Sequence, residues 1–392
     1  MIRRSKVSRL ATSSAIIAAG VLVLAACGGE TTTTAPSAAA PSAAAPSAAA
    51  PAASEAPAAS ALPATGSGEL HLYSWTDYID PAQLDAFTAE TGIQVILDTY
   101  DSNETMLAKI QAGATGYDVL VPSDYMVAQM IELGLLENIG VNTLPNAANI
   151  KPNLIDVYWD PGRSYSAPYM YGTTGIGVDT TDPAVSGIAS WKDYFAAGSV
   201  AGNSLDVLKD QTELVSAALR AGGVAPADLC STDKAQYAAA QELLSTFKPK
   251  VIDSDGGIER MVKGSSKARM AWNGSVHRMT VENPNIQFVY PSDGLNLWAD
   301  NFVVPVGAPD LENAKIFINW MMGPEQAGVA SNFSGYDNGI IDSDPFMNDS
   351  LKTDPGVVVP ADKVALISPT PSCGQEARDL YTEVFTSWQS GQ

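Results

Sequence analysis

The chain has 392 residues, with 22 Lys and Arg against 43 Asp and Glu and a formal net charge of −21. Two histidines, His71 and His277, are too few for a three-histidine or His-Glu-x-x-His zinc centre, and three cysteines are too few for a four-cysteine one. The charge argues against a nucleic-acid partner, whose phosphates need clustered Lys and Arg, and favours a cationic or neutral ligand, while 46% apolar residues suffice for a sizeable core.

Residues 1–26 read as a leader. Arg3, Arg4, Lys6 and Arg9 form a basic start, and Ala15 to Ala26 is an apolar run too short to span a bilayer. The run ends in Leu24-Ala25-Ala26-Cys27-Gly28, which resembles the lipobox of bacterial lipoproteins and marks Cys27 as the lipidated residue. Cleavage there removes four basic residues and no acid, so the mature chain is more acidic still. Residues 27–68 collapse to Ala, Pro, Ser and Thr, with Pro-Ser-Ala-Ala-Ala repeated from Pro36, Pro41 and Pro46. Repeated proline favours extended backbone, so this stretch is expected to be a semi-stiff tether.

From Glu69 the pattern alternates strand and helix. Glu69–Ser74 reads as a strand. Asp80 and Pro81 supply an N-cap and a first-turn proline for a helix that faces Leu84 and Phe87 inward and stops at Gly92. Ile93–Leu97 is the next strand, Ser102 starts a helix running to Gly113, Tyr117–Val121 is a buried strand, and a third helix runs to Gly134. This alternation predicts an α/β fold with a doubly wound sheet, whose ligands bind beyond the carboxyl ends of the strands.

At those ends stand Trp75, Thr76, Asp77 and Tyr78, then Ser123 and Tyr125. Further on, Trp272 follows the strand-like Lys267–Ala271, Trp298 and Asp300 precede the strand-like Phe302–Val304, and Tyr336 follows what reads as the last long helix. Asp210 and Glu213, at i and i+3 after the strand-like Leu205–Leu208, share the face of a helix start. Aromatic faces with nearby carboxylates suit an elongated organic cation, each cation–π contact contributing about 0.5–2 kcal/mol. Acids in a first turn also complement the helix dipole, an alternative reading of Asp210 and Glu213.

Leu72 to Leu136, with Tyr-Ser-Trp-Thr-Asp-Tyr, Tyr-Asp-Ser-Asn-Glu-Thr and Tyr-Asp-Val-Leu-Val-Pro-Ser, resembles the spermidine/putrescine-binding proteins of bacterial ABC importers. Pro168–Val178, Ala271–Ser275 and Trp298–Asp300 continue the likeness in order, over essentially all of Glu69 to Gln392. The resemblance implies a two-lobed periplasmic-binding-protein fold of type II, each lobe a mixed sheet flanked by helices and joined by crossover hinge strands. Residues 69–172 plus 299–335 are expected to form lobe 1, and residues 173–298 plus 336–392 lobe 2. It further implies that Trp75, Tyr78, Tyr125, Trp272, Trp298 and Tyr336 box a polyamine, and that Thr76, Asp77, Ser123, Asp210, Glu213 and Asp300 bind its amines. Hinge motion is expected near Gly172 to Gly175 and near Trp298.

Two departures stand out. A glutamine contact of spermidine-type members has no clear match near Thr370–Gln375, where Gln375 is the nearest substitute. Asp77 resembles putrescine-type members, whereas Tyr125 and Trp298 look more like spermidine-type ones, and the balance leans towards spermidine. An exported chain whose Cys27 is lipidated is left with Cys230 and Cys373 as a candidate disulfide. Asp253-Ser254-Asp255-Gly256 lacks the acid an EF-type calcium loop needs at its twelfth position, where Gly264 stands. No catalytic elbow or phosphate-cradling loop is present, no cofactor or metal is implied, and His277 reads as a polar helix residue.

The expected function is therefore a monomeric, exported, lipid-anchored binding protein. It captures spermidine or putrescine between two lobes and delivers it to an ABC permease in the membrane. The alternatives are a lipid-anchored enzyme using carboxylates such as Asp210 and Asp300 on a sugar or amine, and a polyamine sensor of the same fold.

Overall fold

The computed structural model describes residues 62–391 apart from 114, 115, 201 and 255. The leader, Cys27 and most of the tether lie outside the described residues. The chain opens with β1 (Glu69–Trp75), α1 (Pro81–Thr91), β2 (Gln94–Tyr100), α2 (Asn103–Gln111), β3 (Val119–Leu120) and α3 (Asp124–Glu132). Local chemistry sets these bounds. The Asp80 carboxylate accepts from the Ala82 amide, Gly92 ends α1 in the left-handed region at φ 83°, and Ser102 caps α2 by accepting from the Thr105 amide. The third strand is shorter than expected because Pro122 offers no amide to extend the ladder.

A small separate ladder, β4 (Asp156–Val157) with β5 (Asp160–Pro161), leads into the long β6 (Ser166–Asp179). The middle of the chain adds α4 (Trp191–Gly198), β7 (Leu205–Leu208), α5 (Gln211–Ala221), α6 (Lys234–Thr246), β8 (Val251–Asp253) and α7 (Ile258–Val262). It continues with β9 (Ala268–Trp272), α8 (Asn273–Glu282) and β10 (Ile286–Val289). It then returns through β11 (Leu295–Val303), α9 (Leu311–Met321), α10 (Pro324–Ser334), β12 (Asp337–Asn338), α11 (Asp349–Thr353), β13 (Ile367–Pro369) and α12 (Gln375–Ser390). The helix before Tyr336 is thus not the last long one, for the 16-residue α12 follows.

These strands build one mixed sheet in the order β2-β1-β3-β11-β6-β9-β7-β8, with β10 and β12 on β6 and β13 on β11. Each flank is parallel: Leu72 lies beside Val119, and Leu205 beside Ala268. Antiparallel β6 and β11 join the flanks, pairing from Ser166 with Val303 to Thr174 with Asn296. The outer half of β6 then turns to β9, pairing Thr174 with Trp272 and Val178 with Ala268. Trp298 therefore does not precede a strand but sits inside β11. The register slips between Ala299 and Asn301, so Asp300 occupies an irregularity that re-aims its side chain.

Apolar residues gather on either side of these two strands. One cluster packs Phe87, Phe302 and Phe317, with ring centroids 5.2 and 5.6 Å apart, and the other packs Trp191, Tyr194, Phe195 and Phe247. Burial of each such ring contributes about 1.5–3 kcal/mol. Tyr336 and Ile340 belong to the first cluster, and β12 pairs with Met170 and Tyr171. Cys230 and Cys373 are joined, with Cα atoms 5.0 Å apart, fastening the segment before α12 to the segment before α6.

Candidate functional site

Between the two clusters, at the strand ends, lies a cleft of about 790 Å³. Its aromatic wall begins where β1 ends. The Trp75 indole donates to the Val121 carbonyl at 2.8 Å, and its ring lies 4.7 Å from Tyr100 and edge-on to Trp272 at 6.4 Å. The chain then turns sharply through Thr76 and Asp77. Asp77 takes a φ of 54°, a left-handed conformation that Asp tolerates better than most side chains. Tyr336 meets Tyr78 and Trp298 edge-on, at 5.8 and 5.0 Å.

Asp300 lines the cleft as a buried carboxylate. Its carboxylate accepts from the Tyr78 hydroxyl at 2.7 Å and from the Ser123 hydroxyl at 2.6 Å. Asn103 sets that geometry from behind, donating to Ser123 at 3.1 Å and to the Tyr125 hydroxyl at 2.9 Å. Burial pushes the Asp300 carboxyl up to about 7, against a downward pull from Ser123 and Tyr78.

A second group of acids stands at the start of α5. Asp210 caps the helix by accepting from the Glu213 amide at 2.9 Å, and Glu213 accepts from Asn296 at 3.0 Å. Burial, then the neighbouring Asp210 charge, pushes Glu213 up to about 8; the same two causes push Glu104 up to about 7, and burial raises Asp210. Carboxyls so displaced are short of positive charge, and an ammonium group placed among them would lower all of them. Asp210 thus does both jobs considered for it, capping a helix and facing the cleft.

All the residues proposed from the sequence come together here: Trp75, Thr76, Asp77, Tyr78, Ser123, Tyr125, Asp210, Glu213, Trp272, Trp298, Asp300 and Tyr336 all line the cleft. Gln375 does not. It faces an adjoining hollow beside Glu104, Tyr125 and Thr212, and donates to Asp379 at 2.7 Å. Sequence reading missed Tyr100, Asn103, Thr212, Ser254, Gly256, Ser275 and Arg278 in the wall. Asn103 had been visible only as a helix start, and Ser275 only as part of the Trp-Asn-Gly-Ser motif. His277 is a polar residue of α8, as expected; its Nδ1 meets Asp354 at 2.6 Å in a part-buried pair. Among the described residues no cluster of three His, Cys, Asp or Glu is placed to hold a metal.

The chain's similarities agree with this architecture. A family model described as bacterial extracellular solute-binding protein matches residues 82–357. The spermidine/putrescine-binding periplasmic protein of Salmonella typhimurium is 35% identical, over 72% of this chain and 80% of its own length. The putrescine-binding periplasmic protein SpuD of Pseudomonas aeruginosa is 29% identical, over 85% of this chain and 95% of its own. The solved TpPotD lipoprotein of Treponema pallidum superposes with a TM-score of 0.68 at 25% identity, covering 82% of this chain and 99% of its own.

Proposed function

This chain belongs to the bacterial extracellular solute-binding proteins, and we propose that its cleft captures a polyamine, spermidine or putrescine, for delivery to a membrane permease of an ABC importer. The carrying observation is Asp300: a buried carboxylate in the wall of an aromatic box, pushed up towards neutrality and with no ion-pair partner among the described residues. A bound ammonium would supply that charge, while Trp75, Tyr78, Trp298 and Tyr336 cover the methylene chain. The chain is read as an exported binding protein that holds its ligand unaltered, tethered by lipid on Cys27 and working as a monomer.

Capture would proceed by closure. In this reading residues 69–172 with 299–335 make one lobe and residues 173–298 with 336–392 the other, save that Tyr336 to Asn348 pack with the first. The lobes rock about β6 near Gly172 to Gly175 and about β11 near Trp298. A ligand touching Trp75 and Asp300 on one side and Asp210 and Trp272 on the other selects the closed form.

Calorimetric titration of the full chain with spermidine and putrescine, with a neutral sugar and a basic amino acid as controls, tests this reading. One-to-one binding of a polyamine alone supports it. Binding of neither polyamine by folded, ligand-free protein refutes it, and chemical conversion of an added amine would favour the enzyme instead. Fatty-acid labelling that persists in Cys27→Ser would refute the anchor.

A further inference from the structure

We propose that Arg220, which lies outside the cleft, is a positioning residue for ligand capture: through Asn296 it orients Glu213 and supplies the positive charge that lets an arriving ammonium group ionise it. The inference rests on the polyamine reading above and deepens it. Glu213 lines the cleft and Arg220 does not. Both stand on α5, seven residues apart, so two helical turns put them on one buried face.

Asn296 of β11 stands between them. Its Oδ1 accepts from Arg220 Nη2 at 3.0 Å, and its Nδ2 donates to Glu213 Oε2 at 3.0 Å. The same Nη2 donates to the Ser368 hydroxyl at 2.6 Å, and Ser368 of β13 is the register partner of Asn296, so one ladder presents both acceptors. Arg220 Nε and Nη1 have no hydrogen-bond partner, so among the described residues every hydrogen bond of the buried guanidinium goes to this pair. A guanidinium only donates and a carboxylate only accepts. Reversing the Asn296 amide would set its NH2 against Arg220 and its oxygen against Glu213, so Arg220 fixes the amide with its donor turned to the cleft acid.

The charged and titratable neighbours act on this relay from both ends. Burial, then the Asp210 charge, holds Glu213 up at about 8, with Glu104 beyond Asp210; the Asn296 hydrogen bond and the Arg220 charge pull it down. At the other end burial weakens the hold of Arg220 on its proton, while Glu213, Tyr381 of α12 and Asp293 ahead of β11 strengthen it. Tyr381 in turn feels the charges of both Arg220 and Glu213. An ammonium group arriving beside Glu213 needs it ionised, and a proton competes for the same carboxylate. A guanidinium keeps its charge across the physiological range, so with Arg220 in place that competition ends at a lower pH. Without it Glu213 keeps its proton to a higher one.

The test is calorimetric titration of the full chain with putrescine and with spermidine, from about pH 6 to about pH 9, on the parent, Arg220→Gln, Arg220→Lys and Asn296→Leu. In Arg220→Gln and Asn296→Leu the pH midpoint of affinity is expected to rise by about one unit, equivalent to roughly tenfold weaker binding near pH 7. Arg220→Lys keeps the charge and should stay nearer the parent. Carbon NMR of the Glu213 carboxyl in the ligand-free protein should show the same upward move. A folded Arg220→Gln whose midpoint matches the parent's overturns the inference, and so does an equal loss of affinity at every pH, which would mark Arg220 as a support for the fold. Should Arg220→Gln fail to fold, Asn296→Leu decides, because it leaves Arg220 bonded to Ser368; an unmoved midpoint there also overturns the inference. Binding by the parent with unmoved midpoints in the variants defeats this inference alone, whereas no amine binding by the parent overturns the polyamine reading and this inference together.

Discussion

Asp300 concentrates the chemistry of the cleft in one side chain, because it is buried, doubly hydrogen-bonded and short of positive charge at once. Asp300→Asn keeps the shape and removes the charge. A hydrogen bond to a charged group contributes about 1.5–3 kcal/mol, so polyamine affinity is expected to fall roughly 10- to 100-fold by calorimetry. The melting temperature should hold or rise, since a desolvated carboxylate has gone; equal binding by variant and parent would remove Asp300 from the site. The pH dependence follows from the direction of the shifts. Asp300 at about 7 and Glu213 at about 8 hold protons in the folded chain that the unfolded chain releases near pH 4. Between those limits the native state binds more protons, so the ligand-free protein is expected to lose stability as pH rises from about 5 to 8. A bound ammonium favours the ionised acids, so polyamine binding near pH 7 should release protons. Titration in buffers of different ionisation enthalpy reads that release; no buffer dependence would contradict it.

At the scale of elements, β6 and β11 both join the halves and carry the site. Gly172 lies where they face one another, and a Cβ there would stand 2.4 Å from Asn273 Oδ1 and 2.8 Å from Trp298 Cζ2. Asn273 also accepts from the Thr173 amide at 3.1 Å, so the crossing strand, the start of α8 and the ring of Trp298 are locked together. Gly172→Ala is expected to cost about 1–3 kcal/mol through overpacking and to weaken polyamine binding by displacing Trp298. Thermal melting and titration check the two effects, and a variant matching the parent in both would show that the crossing has slack. Asp210 illustrates the same economy, because one carboxylate starts α5 and faces the cleft.

For the molecule as a whole, the Cys230–Cys373 bond closes a span of 143 residues and ties α12 to the second apolar cluster. In the chain-entropy account such a loop stabilises by roughly 4–5 kcal/mol. A Cys230→Ser, Cys373→Ser double variant is expected to melt several degrees lower while keeping its polyamine affinity, since Cys373 lines the adjoining hollow and not the cleft. An unchanged melting temperature would mean that packing alone holds α12.

Local signals on this chain are strong where one residue does one job. Asp80, Pro81 and Gly92 bound a helix wherever they occur, because capping depends on neighbours a few residues away, and the early strands show in their apolar runs. Aromatic and acidic residues at segment ends likewise pointed to the cleft lining. The two-residue β3, the slip at Asp300 inside β11, the pairing of β12 with β6 and the part-buried His277–Asp354 pair depend on partners from 77 to 183 places away in the chain, and nothing local announces them. The sequence by itself determined the alternation of elements, the acidity and the residue types of the cleft. Only the tertiary structure decided that Gln375 stays outside it and that Asn103 and Arg278 stand in its wall, because which side chains share a low-dielectric space depends on how β6 and β11 bring the two halves together.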